Sequence, residues 1–164
     1  MSTRHKVFRF FFVCCVIILD QLSKVAILDL VTLKDIIRVT DFFNITLVFN
    51  RGVSFGFFPA DTFMGKAFLI LIAISFVIWL SFYLWQAKDL LSQLGYAFII
   101  GGALGNLVDR LQYGAVVDFL QFHLYNHFFP VFNVADSAIS IGVVLIFVQQ
   151  AWHVGEKKKD QRLV

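Results

Sequence analysis

The chain has 164 residues, 59% of them hydrophobic and only 15% charged, with a mean hydropathy of +0.80 and a formal net charge of +3. A soluble domain carries about a quarter charged residues, so this balance excludes one and predicts a polytopic membrane protein forming a single unit over 1–164. Twenty-one phenylalanines against two prolines, with no Gly/Ser-rich tract or internal repeat, leave no linker to a second domain, and nothing suggests a nucleic-acid partner.

The first predicted element is an apolar span over about 7–28. Arg4, Lys6 and Arg9 precede it in the manner of a signal peptide, but no small-x-small cleavage site follows. The run instead reaches Asp20-Gln21-Leu22-Ser23-Lys24 and turns apolar again, which predicts an uncleaved span. Cys14 and Cys15 are adjacent, a spacing that rarely gives a strain-free disulfide, and are expected to pack against lipid or helices. Asp20 and Lys24 stand four residues apart on one helix face. They either neutralise each other where the span ends or support a neighbouring site.

A β-rich outer loop is predicted over about 31–65. Ile45, Leu47 and Phe49 alternate with Thr46, Val48 and Asn50, a period of two. Gly52 and Gly56 break the run and Pro59 ends it. A small antiparallel sheet is expected here, resting on the membrane with Phe42, Phe43, Phe55, Phe57 and Phe58 in the interface. Its open edges must stay above the hydrocarbon or be covered by protein.

The second span covers about 67–87, bracketed by Lys66 and Lys88, roughly 31 Å of helix at 1.5 Å per residue. The third covers about 90–108. Within it, Gly101 and Gly105 form a small-xxx-small face suited to close helix packing. Asn106 and Arg110, at i and i+4, present an amide and a guanidinium on one face near the outer end, with Asp109 beside them.

An outer stretch over 112–133 follows, with Asp118 set among Val116, Val117, Phe119 and Leu120. His123 and His127 could hold zinc together with Asp118 or Asp136. The His-Glu-x-x-His pattern is absent, however, so a polar loop is expected and no metal. The fourth span covers about 134–152. Asn133 is a candidate N-cap, which places Asp136 at the third helical position, where a carboxylate meets free amides and the helix dipole.

Four spans put both termini on one side. Basic residues gather at the termini and at the Lys88-Asp89 turn, so the positive-inside rule predicts cytoplasmic ends and an outer face holding 31–65 and 112–133. The basic tail from Lys157 is read as a topology anchor touching anionic lipid.

An apolar neighbourhood disfavours a charged Asp118, and two carboxyl groups brought together cannot both ionise easily; they share a proton. That is the requirement of an aspartic peptidase. One carboxylate takes a proton from water, while the other polarises the scissile carbonyl and helps the amine leave. Serines such as Ser54, Ser75, Ser137 and Ser140 show no Ser-Lys or Gly-x-Ser-x-Gly context. A proton-coupled carrier would place its carboxylates near mid-bilayer. A non-enzymatic assembly protein using the Gly101/Gly105 face would leave Asn106, Arg110, Asp118 and Asp136 without a purpose.

Five segments in order, Asp20-Gln-Leu-Ser-Lys24, Asn50-Arg-Gly-Val-Ser-Phe-Gly56, Gly101-Gly-Ala-Leu-Gly-Asn-Leu-Val-Asp-Arg110, Val116-Val-Asp-Phe119 and Phe132-Asn-Val-Ala-Asp-Ser-Ala-Ile139, resemble the signature boxes of the bacterial lipoprotein signal peptidases, the type II signal peptidases. The resemblance implies four transmembrane helices with a small periplasmic antiparallel β-subdomain in the bacterial inner membrane. It implies an intramembrane aspartic endopeptidase that removes the signal peptide of diacylglyceryl-modified prolipoproteins by cutting before the lipidated cysteine. By motif position, Asp118 and Asp136 correspond to the catalytic dyad, while Asn50, Asn106, Arg110 and Asn133 are expected to hold the substrate backbone. Asp20, Lys24 and Gly52 correspond to supporting positions. Inhibition by globomycin is implied, and no cofactor. Val53 and Ser54 depart from the two small residues common in the family, and the bulk of Val53 is expected to tune the pocket.

Overall fold

In lipid every backbone polar group must be satisfied within its own segment, which drives long apolar runs into helices. A computed structural model, describing residues 3–33, 35–52 and 62–160, contains four of them: α1 (Thr3–Leu30), α2 (Phe63–Gln86), α3 (Leu90–Tyr113) and α4 (Val134–Asp160). Each contains a stretch long and apolar enough to cross a membrane: Val7–Leu30, Phe63–Gln86, Leu90–Tyr113 and Val134–Val154. α2 starts ahead of the expected 67 because Thr62 caps it, its Oγ1 accepting from the Gly65 N–H at 3.1 Å. α3 runs past 108 to Tyr113, so Asn106, Asp109 and Arg110 all lie within its last turns. Lys34 and the segment Val53, Ser54, Phe55, Gly56, Phe57, Phe58 and Pro59, with its expected pocket and interface roles, lie outside the described residues.

α3 is the central helix, packed against α1, α2 and α4. The small-residue face makes this possible. A Cβ on Gly101 would lie 2.7 Å from the Val16 Cβ, and one on Gly105 would lie 2.5 Å from Asp20 Oδ2. Real Cβ atoms do not approach so closely, so α1 and α3 meet backbone to side chain only because these positions lack one. α2 leaves most of its apolar surface exposed, as a lipid-facing helix does.

The sheet differs from expectation in its origin. Its order is β1-β2-β3-β4, antiparallel throughout, with β1 (Ile36–Arg38) and β2 (Phe43–Asn50) from the α1–α2 connection. β3 (Val116–Leu124) and β4 (His127–Phe128) come from the α3–α4 connection. The stretch read as an outer loop around Asp118 is therefore a strand paired with β2. Its physical reason is visible in Val116, Asp118, Leu120, Phe122 and Leu124, alternate positions in a β-branched and aromatic composition. Val31, Leu47 and Val117 form a small core between the end of α1 and the sheet. Phe122 stacks on Phe42 and on Phe132, with ring centroids 6.5 and 5.8 Å apart.

β2 carries a bulge. Ile45 pairs with Leu120 but Val48 pairs with Asp118, so β2 spends one extra residue there. Thr46 and Leu47, neighbours in sequence, are both buried as a result. Beyond the bulge, Val48 and Asn50 share the sheet face of Asp118. In the β3–β4 hairpin, His123 pairs with Phe128 and Leu124 with His127. The two histidines thus fall on opposite faces, not one turn apart on a helix.

Candidate active site

All six polar residues singled out for the dyad and its surroundings converge where α3 ends, α4 begins and β2 meets β3. Asn133 is the junction. As N-cap of α4 its Oδ1 accepts from the Asp136 N–H at 2.8 Å, while Asp136 Oδ2 accepts from the Asn133 N–H at 3.3 Å, a reciprocal capping box. Asn133 Nδ2 points the other way and donates to Asp118 Oδ1 at 2.7 Å. One buried residue therefore braces both carboxyl groups, Asp118 through its side-chain amide and Asp136 through its backbone N–H.

Asn106, one helix away, donates from Nδ2 to Asp136 Oδ1 at 2.7 Å. Its Oδ1 accepts from Asn133 Nδ2 at 3.1 Å and from Lys24 Nζ at 3.1 Å. Asn50 donates from Nδ2 to Asp118 Oδ2 at 2.9 Å, which its position beyond the bulge allows. Gly52 aims this amide: its N–H donates to Asn50 Oδ1 at 3.0 Å from a left-handed conformation, φ 78°, that few L residues adopt. Arg110 is half-buried and donates from Nη1 to the Asn106 carbonyl at 3.2 Å. Its charge lies within electrostatic reach of Asp136, Asp109 and Asp118.

Asp118 is 1% exposed while Asp136 is half-buried. Burial pushes the Asp118 carboxyl up to about 6; the charge of Asp136 adds to the rise, and the hydrogen bonds from Asn50 and Asn133 oppose it. The pair thus joins a buried carboxyl that holds its proton towards neutrality with a second one that is partly exposed. Ser137 and Ser140 turn their hydroxyls to the carbonyls of Asn133 and Asp136, away from any nucleophilic role.

Beneath this layer Lys24 lies 2.7 Å from Asp20 Oδ2 and 2.7 Å from Asp109 Oδ2, all three side chains buried. Asp20 Oδ1 accepts from the Ala135 N–H at 2.8 Å, Asp109 Oδ2 from the Val117 N–H at 3.1 Å, and Asp109 Oδ1 from Gln21 Nε2 at 2.9 Å. The cluster ties α1, α3, α4 and β3 together directly behind Asn106. Asp20 and Lys24 are thus more than a neutralised pair. Gln21 is the member to which sequence reasoning gave no role, and Asp109, noted there beside Arg110, was not paired with Lys24. Asp109 stands one turn beyond Gly105 on the face packed against α1, which was the available signal.

A family model described as signal peptidase II matches residues 12–152. A lipoprotein signal peptidase of Thermodesulfovibrio yellowstonii is 41% identical over 133 residues, covering 79% of this chain and 85% of its own length. One from Burkholderia multivorans is 43% identical over 136 residues, covering 82% of each chain. One from Coxiella burnetii is 41% identical over 137 residues, covering 81% of this chain and 83% of its own. Among solved structures, a bacterial membrane enzyme determined by the in meso method at 2.3 Å superposes with a TM-score of 0.78 at 31% identity, covering 92% of this chain and 91% of that one. A second, at 1.9 Å, gives 0.77 at 32% identity over 87% and 92%.

Proposed function

The chain belongs to the signal peptidase II family, and on that premise we propose that it is an aspartic endopeptidase cutting prolipoproteins before their diacylglyceryl-modified cysteine. It is a multi-pass membrane peptidase. The observation that carries the aspartic reading is Asn133, which hydrogen-bonds Asp118 through its side chain and caps the helix turn that holds Asp136. A single rigid residue fixes the two carboxyl groups relative to each other, as proton sharing through one water requires.

In this reading Asp118, buried and raised, keeps the shared proton and donates it to the scissile carbonyl. Asp136, half-buried and reached by solvent, draws the proton from the attacking water. Asn50 and Arg110 hold the substrate backbone beside the pair, and Asn106 fixes Asp136 while relaying the position of Lys24. Asp20, Lys24 and Gly52 support these groups without touching the reacting atoms. Two carboxyl groups suffice for the chemistry, with neither a covalent intermediate nor a metal. The helices and sheet of 1–164 act as one peptidase unit in the bacterial inner membrane, with cytoplasmic termini and the dyad at the periplasmic side. Lateral diffusion brings the diacylated substrate to that rim. Globomycin, a cyclic lipopeptide, would compete for the same position.

The test is cleavage of a diacylglyceryl-modified prolipoprotein by the purified full-length chain, with a chelator present. Asp118→Asn and Asp136→Asn should each lower the rate by at least about a thousandfold, since each removes an obligatory acid or base, while the variants still insert. Cleavage at near-normal rate by either variant would reject the dyad.

A further inference from the structure

At the opposite end of the bundle from the dyad, at the start of the first span, Arg9 is 5% exposed. Its Nη1 donates to the Trp85 carbonyl at 3.2 Å and its Nη2 to the Ala87 carbonyl at 2.5 Å. These belong to the C-terminal end of α2, where the helix dipole favours a cation. Two carbonyl dipoles do not neutralise a full charge. Nε is buried without a hydrogen-bond partner, and among the described residues no carboxylate forms an ion pair with Arg9. A charge held in apolar surroundings requires a counter-charge.

Arg9 lines a cavity of about 330 Å³ between α1, α2 and α3, whose walls include Val13, Val77, Leu84, Ile100 and Leu104. Phe10 and Trp85 flank it and are mostly exposed, and a Trp ring is at home at the level of lipid headgroups. The space thus combines a cation that has no ion-pair partner among the described side chains with a carbon-lined trough in a surface that faces lipid.

We propose that this groove binds an anionic phospholipid of the leaflet on the side of the termini, its phosphodiester against Arg9 and one acyl chain along the trough. The cation completes its charge balance with the phosphate, and the chain fills space that the helices leave open. The site is independent of the peptidase reading, because it shares no residue with the dyad or its supporting cluster.

Native mass spectrometry of the full chain in neutral detergent, with equal amounts of phosphatidylglycerol and phosphatidylcholine, reads the proposal directly. Phosphatidylglycerol should be retained over phosphatidylcholine by about fivefold, the preference that roughly 1 kcal/mol per basic residue provides. Arg9→Gln should abolish the preference, and Ser81→Trp, placed on the exposed wall of the groove, should prevent retention of either lipid with Arg9 intact. Equal retention of the two lipids by the native chain would overturn the proposal. So would undiminished retention of phosphatidylglycerol in Ser81→Trp, which decides the matter alone if Arg9→Gln does not fold.

Discussion

Burial raises the Asp118 carboxyl most, and the hydrogen bonds from Asn50 and Asn133 act against that rise. With Asp118 raised to about 6, kcat/KM should fall about tenfold per pH unit above that value, because the free enzyme then loses its acid. Asn50→Leu removes a donor that favours the carboxylate, so the descending limb should move to higher pH as the rate drops. A limb that stays fixed in a pH–rate profile of the variant would dissociate Asn50 from Asp118. The same shift has a stability sign. Asp118 favours the folded state fully below its ordinary carboxyl value, and that contribution is lost as pH rises through about 6. At this scale the sequence singled out Asp118, Asp136 and the four polar residues that the fold brings together. A carboxylate among valines and phenylalanines lacks a cheap structural reason, and the Asn133 cap of Asp136 follows from spacing alone. Asp109 was not legible as Lys24's second partner, because Asp20 already satisfied the local pairing rule.

Among the elements, the bulge in β2 and the glycine face of α3 place the side chains just described. The alternation over 45–50 reads as one unbroken phase in the sequence, yet Thr46 and Leu47 are both buried because the strand gains a residue between Ile45 and Val48. A bulge leaves little compositional trace, so periodicity predicted the strand but not its change of face. The pairing of β2 with β3 was equally hidden, since it depends on two connections far apart in the chain. The glycines offer a clean contrast. Gly101→Ala meets the Val16 side chain and the Val13 carbonyl, whereas Gly105→Ala pushes against an Asp20 carboxylate already fixed by Lys24 and the Ala135 N–H. Both should lower stability by about 1–3 kcal/mol through overpacking. Only Gly105→Ala should reduce cleavage beyond what its unfolding temperature explains, and equal kinetic effects would remove Asp20 from the site's support.

Across the whole molecule, Lys24 is the cation that joins three helices to the sheet. Lys24→Met leaves Asp20 and Asp109 buried side by side without it, so unfolding in detergent should become easier by about 3–5 kcal/mol, as when one partner of a buried pair is removed. A thermal shift within the range of ordinary surface substitutions would mean that the cluster is dispensable. Four spans and a small sheet in the first outer connection were legible from hydropathy and period alone, but the two strands of the second connection were not. Nor was the arrangement of the spans around α3, because hydropathy treats each span alone and α3 differs from the others mainly in carrying glycines and amides.

A sheet drawn from two connections also imposes an order of events on synthesis. The ribosome delivers β2 before β3 exists, and at about 5–20 residues per second the nascent enzyme waits for seconds with that strand's inner edge unclaimed. Until α4 threads, the two halves of the scaffold around Asp118 and Asp136 are strangers, so under the proposed mechanism the newborn chain should be unable to cut anything during its own insertion. Two fragments divided at the Ala87–Lys88 turn should each be inert and should regain prolipoprotein cleavage when co-expressed; activity in either fragment alone would mean that a single connection is enough.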